Sequence, residues 1–161
     1  MRQTAIVAGG CFWGIESRFQ KLAGVVDTEV GYTGGQTEDP TYRQVCQEIT
    51  GHVEAVKVEF DPTIVTYKEI LEAFFKYHDP TLCGDNCMSQ TEQYGSIIFP
   101  MDIEQAHVAE SVLEDLIARN VYDCPIRTII RPASTFYRAE EYHQNYYKKH
   151  NLMDVEEDCY C

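Results

Sequence analysis

Residues 52–60, His-Val-Glu-Ala-Val-Lys-Val-Glu-Phe, constrain the fold more than any other stretch of the chain. Val56, Val58 and Phe60 alternate with Lys57 and Glu59, a period of two that gives a strand one apolar face. Asp61-Pro62 stops it. Such a face needs a second layer to cover it. Stepping back by two from Val56 puts Glu54 on that same face, while Val53 and Ala55 fall on the polar one. Since Glu is seldom buried, the pattern by itself predicts that Glu54 escapes to solvent at the strand end.

The rest of the chain supplies the partners. Gln3 to Ala8 reads as a buried strand running into Gly9-Gly10. Phe12, Ile15, Phe19 and Leu22 recur at helical spacing, and Val25 to Tyr32 is a second strand closed by Gly34-Gly35. Thr66 and Glu69 form a capping box that opens a helix carrying Ile70, Leu71, Phe74 and His78, ended by Asp79-Pro80. Ser96–Phe99 is a short strand. Asp102 caps a helix with the stripe Ala109, Val112, Leu113, Leu116 and Ile117. A strand at 127–131 and a helix over 139–150, with Tyr142 and Tyr146 on one side, complete the order. Beginning β-α-β-β-α-β, with antiparallel pairing of 25–32 and 52–60, it predicts α+β architecture. The expected form is a ferredoxin-like (split βαβ) sandwich, its mixed or antiparallel sheet packed by helices, rather than a doubly wound parallel sheet.

At 161 residues the chain fits one catalytic domain, 1–152, followed by a short, mobile acidic tail, 153–161. With 13 Lys+Arg against 26 Asp+Glu, the net charge is −13, which gives no electrostatic reason to bind nucleic acid or anionic lipid. No run approaches the ~18 apolar residues of a membrane span. The apolar stretch from Ala5 to Ile15 is followed at once by Glu16, Arg18 and Lys21, with no cleavage pattern, so export is not expected. A reducing, cytoplasmic setting follows as the expectation. There the seven cysteines, an odd number, point to redox or metal chemistry rather than a disulfide framework.

Cys11 stands where Gly9-Gly10 feeds a helix. Free N–H groups and the helix dipole at such a start stabilise a thiolate, which favours a nucleophile over an inert buried cysteine. The segment matches neither phosphate-binding glycine pattern. Phe12 and Trp13 (the one tryptophan) follow directly and point about 100° apart on a helix. Either Phe12 is core and Trp13 partly exposed, or the pair walls a pocket beside the sulfur for an S-methyl or similar small apolar group.

Gly10-Cys11-Phe12-Trp13-Gly14, Gly31-Tyr32-Thr33-Gly34-Gly35, Pro40-Thr41-Tyr42, Gly51-His52-Val53-Glu54-Ala55, His78-Asp79-Pro80 and Gln93-Tyr94 occur in one order. Together with Phe136-Tyr137 and Glu141-Tyr142-His143-Gln144, they resemble the peptide methionine sulfoxide reductase A family. The resemblance implies an α+β fold and reduction of methionine-S-sulfoxide, protein-bound or free. Cys11 would attack the sulfoxide sulfur. Glu54 would protonate or hydrogen-bond the departing oxygen, a task that near neutral pH requires a carboxyl in an apolar site. Tyr42 and Tyr94 would bond the same oxygen, and Phe12 and Trp13 would hold the methyl group. The match to that motif overrides the solvent-facing reading of Glu54. A resolving cysteine must then meet the sulfenic acid, and Cys159 and Cys161 on the tail suit that task. Thioredoxin or another dithiol would close the cycle, with no cofactor or metal required.

The chain departs from the family between His78 and Tyr94. Met88-Ser89 occupies the usual Asn-Asp place, so the expected Asp is missing there, and Asp85 is the nearest substitute. Cys83 and Cys87, with three residues between them in the same loop, fit a resolving or relay role better than half a zinc site, because the one residue between Cys159 and Cys161 is tighter than zinc spacing. Cys46 and Cys124 read as structural or incidental. The competing readings are a Cys–His thiol hydrolase and a non-catalytic cysteine redox sensor. Reduction of a sulfoxide separates all three, because a hydrolase would cleave an ester or amide and a sensor would turn over nothing.

Overall fold

The computed structural model describes residues 1–81 and 95–152. Among them the elements run β1 (Gln3–Gly9), α1 (Phe12–Gln20), β2 (Val25–Thr33), α2 (Tyr42–Cys46), β3 (Val53–Phe60), α3 (Tyr67–Tyr77), β4 (Ser96–Phe99), α4 (Ile103–Arg119), β5 (Ile129–Ile130), β6 (Tyr137–Arg138), a 3-10 turn at Glu141–His143 and α5 (Tyr146–Lys149). The strands form one sheet in the order β5-β4-β1-β3-β2-β6. Only β4 and β5 pair in parallel. The sheet is therefore mixed, with α1 and α3 packed on it, α4 on α3 and α5 on α1, an α+β arrangement.

The alternation in 52–60 does what it predicts on the helix side. Val56, Val58 and Phe60 are buried in the main core with Ala5 and Val7 of β1 and Phe19 of α1. Glu54 continues that row and is 1% exposed, so the solvent-facing expectation drawn from the strand pattern fails. The opposite face differs too. Val53 and Ala55, assigned to a polar face, sit in a second core with Ile6, Ala8, Ile97 and Phe99, covered by Ala133 and Phe136. The covering segment is irregular chain with no apolar period, which is why the sequence did not announce it.

Helix ends follow local chemistry. The Thr66 hydroxyl accepts from Glu69 N (3.1 Å) while Glu69 Oε1 accepts from Thr66 N (3.2 Å). Asp102 accepts from Gln105 N at 2.8 Å. The same box at Thr41 and Gln44 opens α2, a helix absent from the expected element list although its signal was present. On α4 the apolar stripe is narrower than expected. Ala109 and Val112 are buried, Leu113 and Leu116 pack against the core, and Ile117 is 58% exposed.

Two late elements are corrected. The strand expected at 127–131 shortens to Ile129–Ile130. The helix expected over 139–150 is broken, because Asn145 adopts a left-handed φ of 55° and the Gln144 side chain is engaged elsewhere. Gln144 accepts from Val30 N (2.9 Å) and donates to Val30 O (2.8 Å) and Ala139 O (3.0 Å), acting as a side-chain extension of the ladder beside β2. Replacing it with Ala strands the buried Val30 amide and carbonyl, so Gln144→Ala should lower unfolding free energy in urea by about 2–3 kcal/mol.

Candidate active site

The strand-to-helix junction at Gly9-Gly10-Cys11 builds the site. A Cβ on Gly9 would lie 2.7 Å from Phe74 and 2.9 Å from His78, so only glycine lets the end of α3 approach here. Gly10 has φ +103°, which turns the chain from β1 into α1. Cys11 is then the N-cap residue of α1, in extended backbone and 9% exposed. It takes part in a disulfide, as does Cys124, so the structure is that of an oxidised centre. Cys46 keeps an exposed thiol.

Glu54 reaches the same junction from β3. Its Oε1 accepts a hydrogen bond from Phe12 N, the first amide of α1, at 3.2 Å. One of the orphan donors at this helix start is thus given to the carboxyl of Glu54. The structure therefore brings Cys11 and Glu54 together through a single residue, Phe12. Glu54 pairs across the ladder with Tyr32 of β2, whose hydroxyl donates to Glu140 Oε1 at 2.9 Å. Glu140 Oε2 accepts from Tyr42 N at 3.0 Å. Burial pushes the Glu140 carboxyl up, but the backbone donors and the Tyr32 hydroxyl outweigh it and hold its pKa below the ordinary value.

Phe12, Trp13 and Tyr42 meet in one aromatic cluster. Phe12 is 1% exposed and packs 5.8 Å from Tyr32, 6.5 Å from Tyr42 and 5.1 Å from His143. Trp13 is half-buried and stacks on Tyr146 at 3.8 Å, with its indole N–H donating to His143 Nδ1 at 2.9 Å. Phe12 therefore fills core, and Trp13 and Tyr42 form the more open rim. Tyr94, Cys83, Cys87, Cys159, Cys161 and the Ser89 and Asp85 positions lie outside the described residues.

Several participants escaped the sequence reading. Glu140, His143 and Tyr146 received no role, although Glu141-Tyr142-His143-Gln144 had been singled out as a segment. Glu16, noted in the sequence only as a charge that follows an apolar run, is another. It is 1% exposed, accepting from Asn145 N (2.8 Å) and the Thr28 hydroxyl (3.0 Å), and burial raises its pKa despite those bonds. Cys124 reads from the sequence as structural or incidental. It lines the same cavity of about 540 Å³ as Cys11, together with Arg18, His78, Asp79 and Tyr122. Glu54, Tyr42, Phe12 and Trp13 are not on that wall.

His78 faces this cavity but cannot serve Cys11 as a base. Its Nδ1 donates to Phe74 O (2.7 Å), so its Nε2 accepts from the Ser96 hydroxyl (2.8 Å), which in turn bonds Thr128 (2.7 Å). Both nitrogens are committed, and burial pushes the pKa down to about 4. That arrangement gives a Cys–His hydrolase no acting histidine among the described residues lining the cavity.

The fold and site define a cysteine-dependent redox enzyme: an oxidisable cysteine at a helix start, a buried carboxyl bonded to the next amide, and aromatic rings alongside. The model of the family "Peptide methionine sulfoxide reductase" matches residues 3–159. The peptide methionine sulfoxide reductase MsrA of Methanosarcina acetivorans is 48% identical over 151 residues, covering 94% of this chain and 80% of that protein. Among solved structures, reduced Mxr1 from Saccharomyces cerevisiae superposes with a TM-score of 0.83 at 31% identity, covering 93% of this chain and 86% of that one. Mxr1 in complex with Trx2 superposes at 0.60 with 27% identity, covering 90% and 84%. The chain belongs to the peptide methionine sulfoxide reductase family.

His143 supplies a pH test. The Trp13 indole can only donate, so neutral His143 carries its proton on Nε2, which is buried without a hydrogen-bond partner. Burial pushes its pKa down to about 4, against 6.5 for a free imidazole, with Glu140 partly opposing. Between those values the unfolded chain binds more protons than the folded one, so stability falls as pH drops from about 6.5 towards 4. Fluorescence of Trp13 should stay constant down to about pH 5 and change with a midpoint near 4. A midpoint near 6.5 would mean that the imidazole is open to water.

Proposed function

We propose that the chain reduces methionine-S-sulfoxide, free or in exposed protein segments, to methionine, with Cys11 as nucleophile. One enzyme is needed per sulfoxide epimer, and family membership supports the S form. Attack of the Cys11 sulfur on the sulfoxide sulfur, with oxygen transfer, leaves Cys11 as sulfenic acid and releases methionine. Charge accumulates on the oxygen as the S–O bond breaks, and Glu54 supplies the proton that neutralises it. The observation that carries this reading is the contact between Glu54 Oε1 and Phe12 N, which holds the carboxyl against the turn that Cys11 caps. Tyr42 and Tyr94 contribute hydroxyls to the oxygen, and Phe12 and Trp13 the apolar wall for the methyl group.

The sulfenic acid condenses with a second thiol, releasing water. Cys159 and Cys161 on the acidic tail beyond the catalytic domain 1–152 are the first choice, with Cys83 and Cys87 behind them. Thioredoxin or a similar dithiol then reduces the disulfide. The Mxr1–Trx2 complex supports this step. The setting is cytoplasmic, where thiols are kept reduced. No helix among the described residues is long and apolar enough to cross a membrane. We read the β4-β1-β3-β2 order, in which β3 separates β1 from β2, as a ferredoxin-like split βαβ core extended by two short edge strands.

Cys11→Ser should abolish methionine release in a single turnover, and normal release would refute the assignment. Glu54→Gln keeps an acceptor for Phe12 N but carries no transferable proton, so the single-turnover rate should fall by about 10²–10⁴. Truncation after Asp158 should preserve the first turnover and stop thioredoxin-driven cycling. Unchanged cycling would move resolution to Cys83 or Cys87.

A further inference from the structure

We propose that Cys124 is a working thiol of the cycle, taking over the disulfide formed at Cys11 and presenting it to the dithiol reductant. The inference rests on the sulfoxide reductase reading and adds a residue to it. Three observations carry it. Cys124 and Cys11 line one cavity of about 540 Å³. Both are in disulfides, whereas Cys46, away from that cavity, remains an exposed thiol. The segment bearing Cys124 is also fixed on both sides to the chain that forms the cavity wall. Upstream, the Tyr122 hydroxyl donates to Phe75 O at 3.3 Å. Downstream, Ile126 bridges to Thr81, and Arg127 N donates to Pro80 O at 2.8 Å. Thiol exchange demands access and a thiol held near its target. Cys124 is half-buried, more open than Cys11, and these anchors hold it at the cavity.

The cavity wall excludes Glu54, Tyr42, Phe12 and Trp13, so it is separate from the carboxyl and aromatic groups assigned to the sulfoxide. The chemistry balances without a further oxidant. Cys11 sulfenic acid and the thiol of another cysteine of this chain give a disulfide and water. Cys124, as thiolate, attacks the second cysteine's sulfur in that bond; a new disulfide to Cys124 forms, and Cys11 leaves as thiolate with the bonding pair. This exchange is redox-neutral. An external dithiol then delivers two electrons and two protons, restoring both thiols and becoming a disulfide itself.

The test starts from fully reduced protein given one equivalent of methionine sulfoxide, quenched in acid, alkylated and mapped by mass spectrometry. Wild-type protein should show Cys124 in a disulfide. Cys124→Ser should release methionine in the first turnover and then cycle with thioredoxin at least ten-fold more slowly. Cys124 recovered as the alkylated thiol, or cycling by Cys124→Ser at the wild-type rate, overturns the proposal. Mapping is done on the wild-type chain, so it decides even if the variant folds poorly. Failure of wild-type protein to release methionine would instead strike at the role of Cys11.

Discussion

Four polar side chains, three of them buried, hold the last described segment against the start of the fold, and the aromatic half of the site depends on them. Glu16 of α1 accepts from Asn145 N, and Gln144 completes the hydrogen bonding of Val30. Glu140 joins Tyr32 to the backbone of Tyr42, and His143 receives the Trp13 indole. Each bond adds little net stability when made and costs much more when one partner is removed. The segment therefore has one low-energy placement. That placement sets Tyr146 on Trp13 and His143 against Tyr42 and Phe12.

The contact between Glu54 and the first amide of α1 does for the other half of the site what those residues do for the aromatics. A glutamate facing the helices from the middle of a sheet needs a donor, and the N-terminus of α1 has amides without helical partners. Placing the cysteine at that same terminus puts sulfur and carboxyl one residue apart in hydrogen-bond connectivity. The glycines preceding Cys11 let the chain turn and let α3 close behind it.

What the sequence disclosed, and what it did not, follows from the range of the interactions. Period-two and capping signals are local, and they located β3, α3 and the start of α4 to within a residue or so. The same capping logic applied to Thr41-Gln44 would have found α2. Tertiary effects were hidden. The burial of Val53 and Ala55 depends on an irregular segment some 80 residues later, and the break at Asn145 depends on Gln144 reaching back to β2. Glu54 is instructive because its strand pattern alone gave the wrong environment, whereas the Gly-His-Val-Glu-Ala motif gave the right one. His143 lay in a recognised segment and Glu140 just before it, but nothing local in the sequence marks either side chain as a bonding partner. Cys124 stood alone in sequence, and the folding of 122–127 onto 75–81 brings it to the cavity that Cys11 also lines.

Both outer strands of the sheet, β5 and β6, are only two residues long. Each offers few open amide and carbonyl groups of its own, which limits the template along which a neighbouring molecule could add a strand. Copies of the chain are also kept apart by a net charge of −13. Short outer strands and a strongly acidic composition thus work together against edge-to-edge pairing between copies.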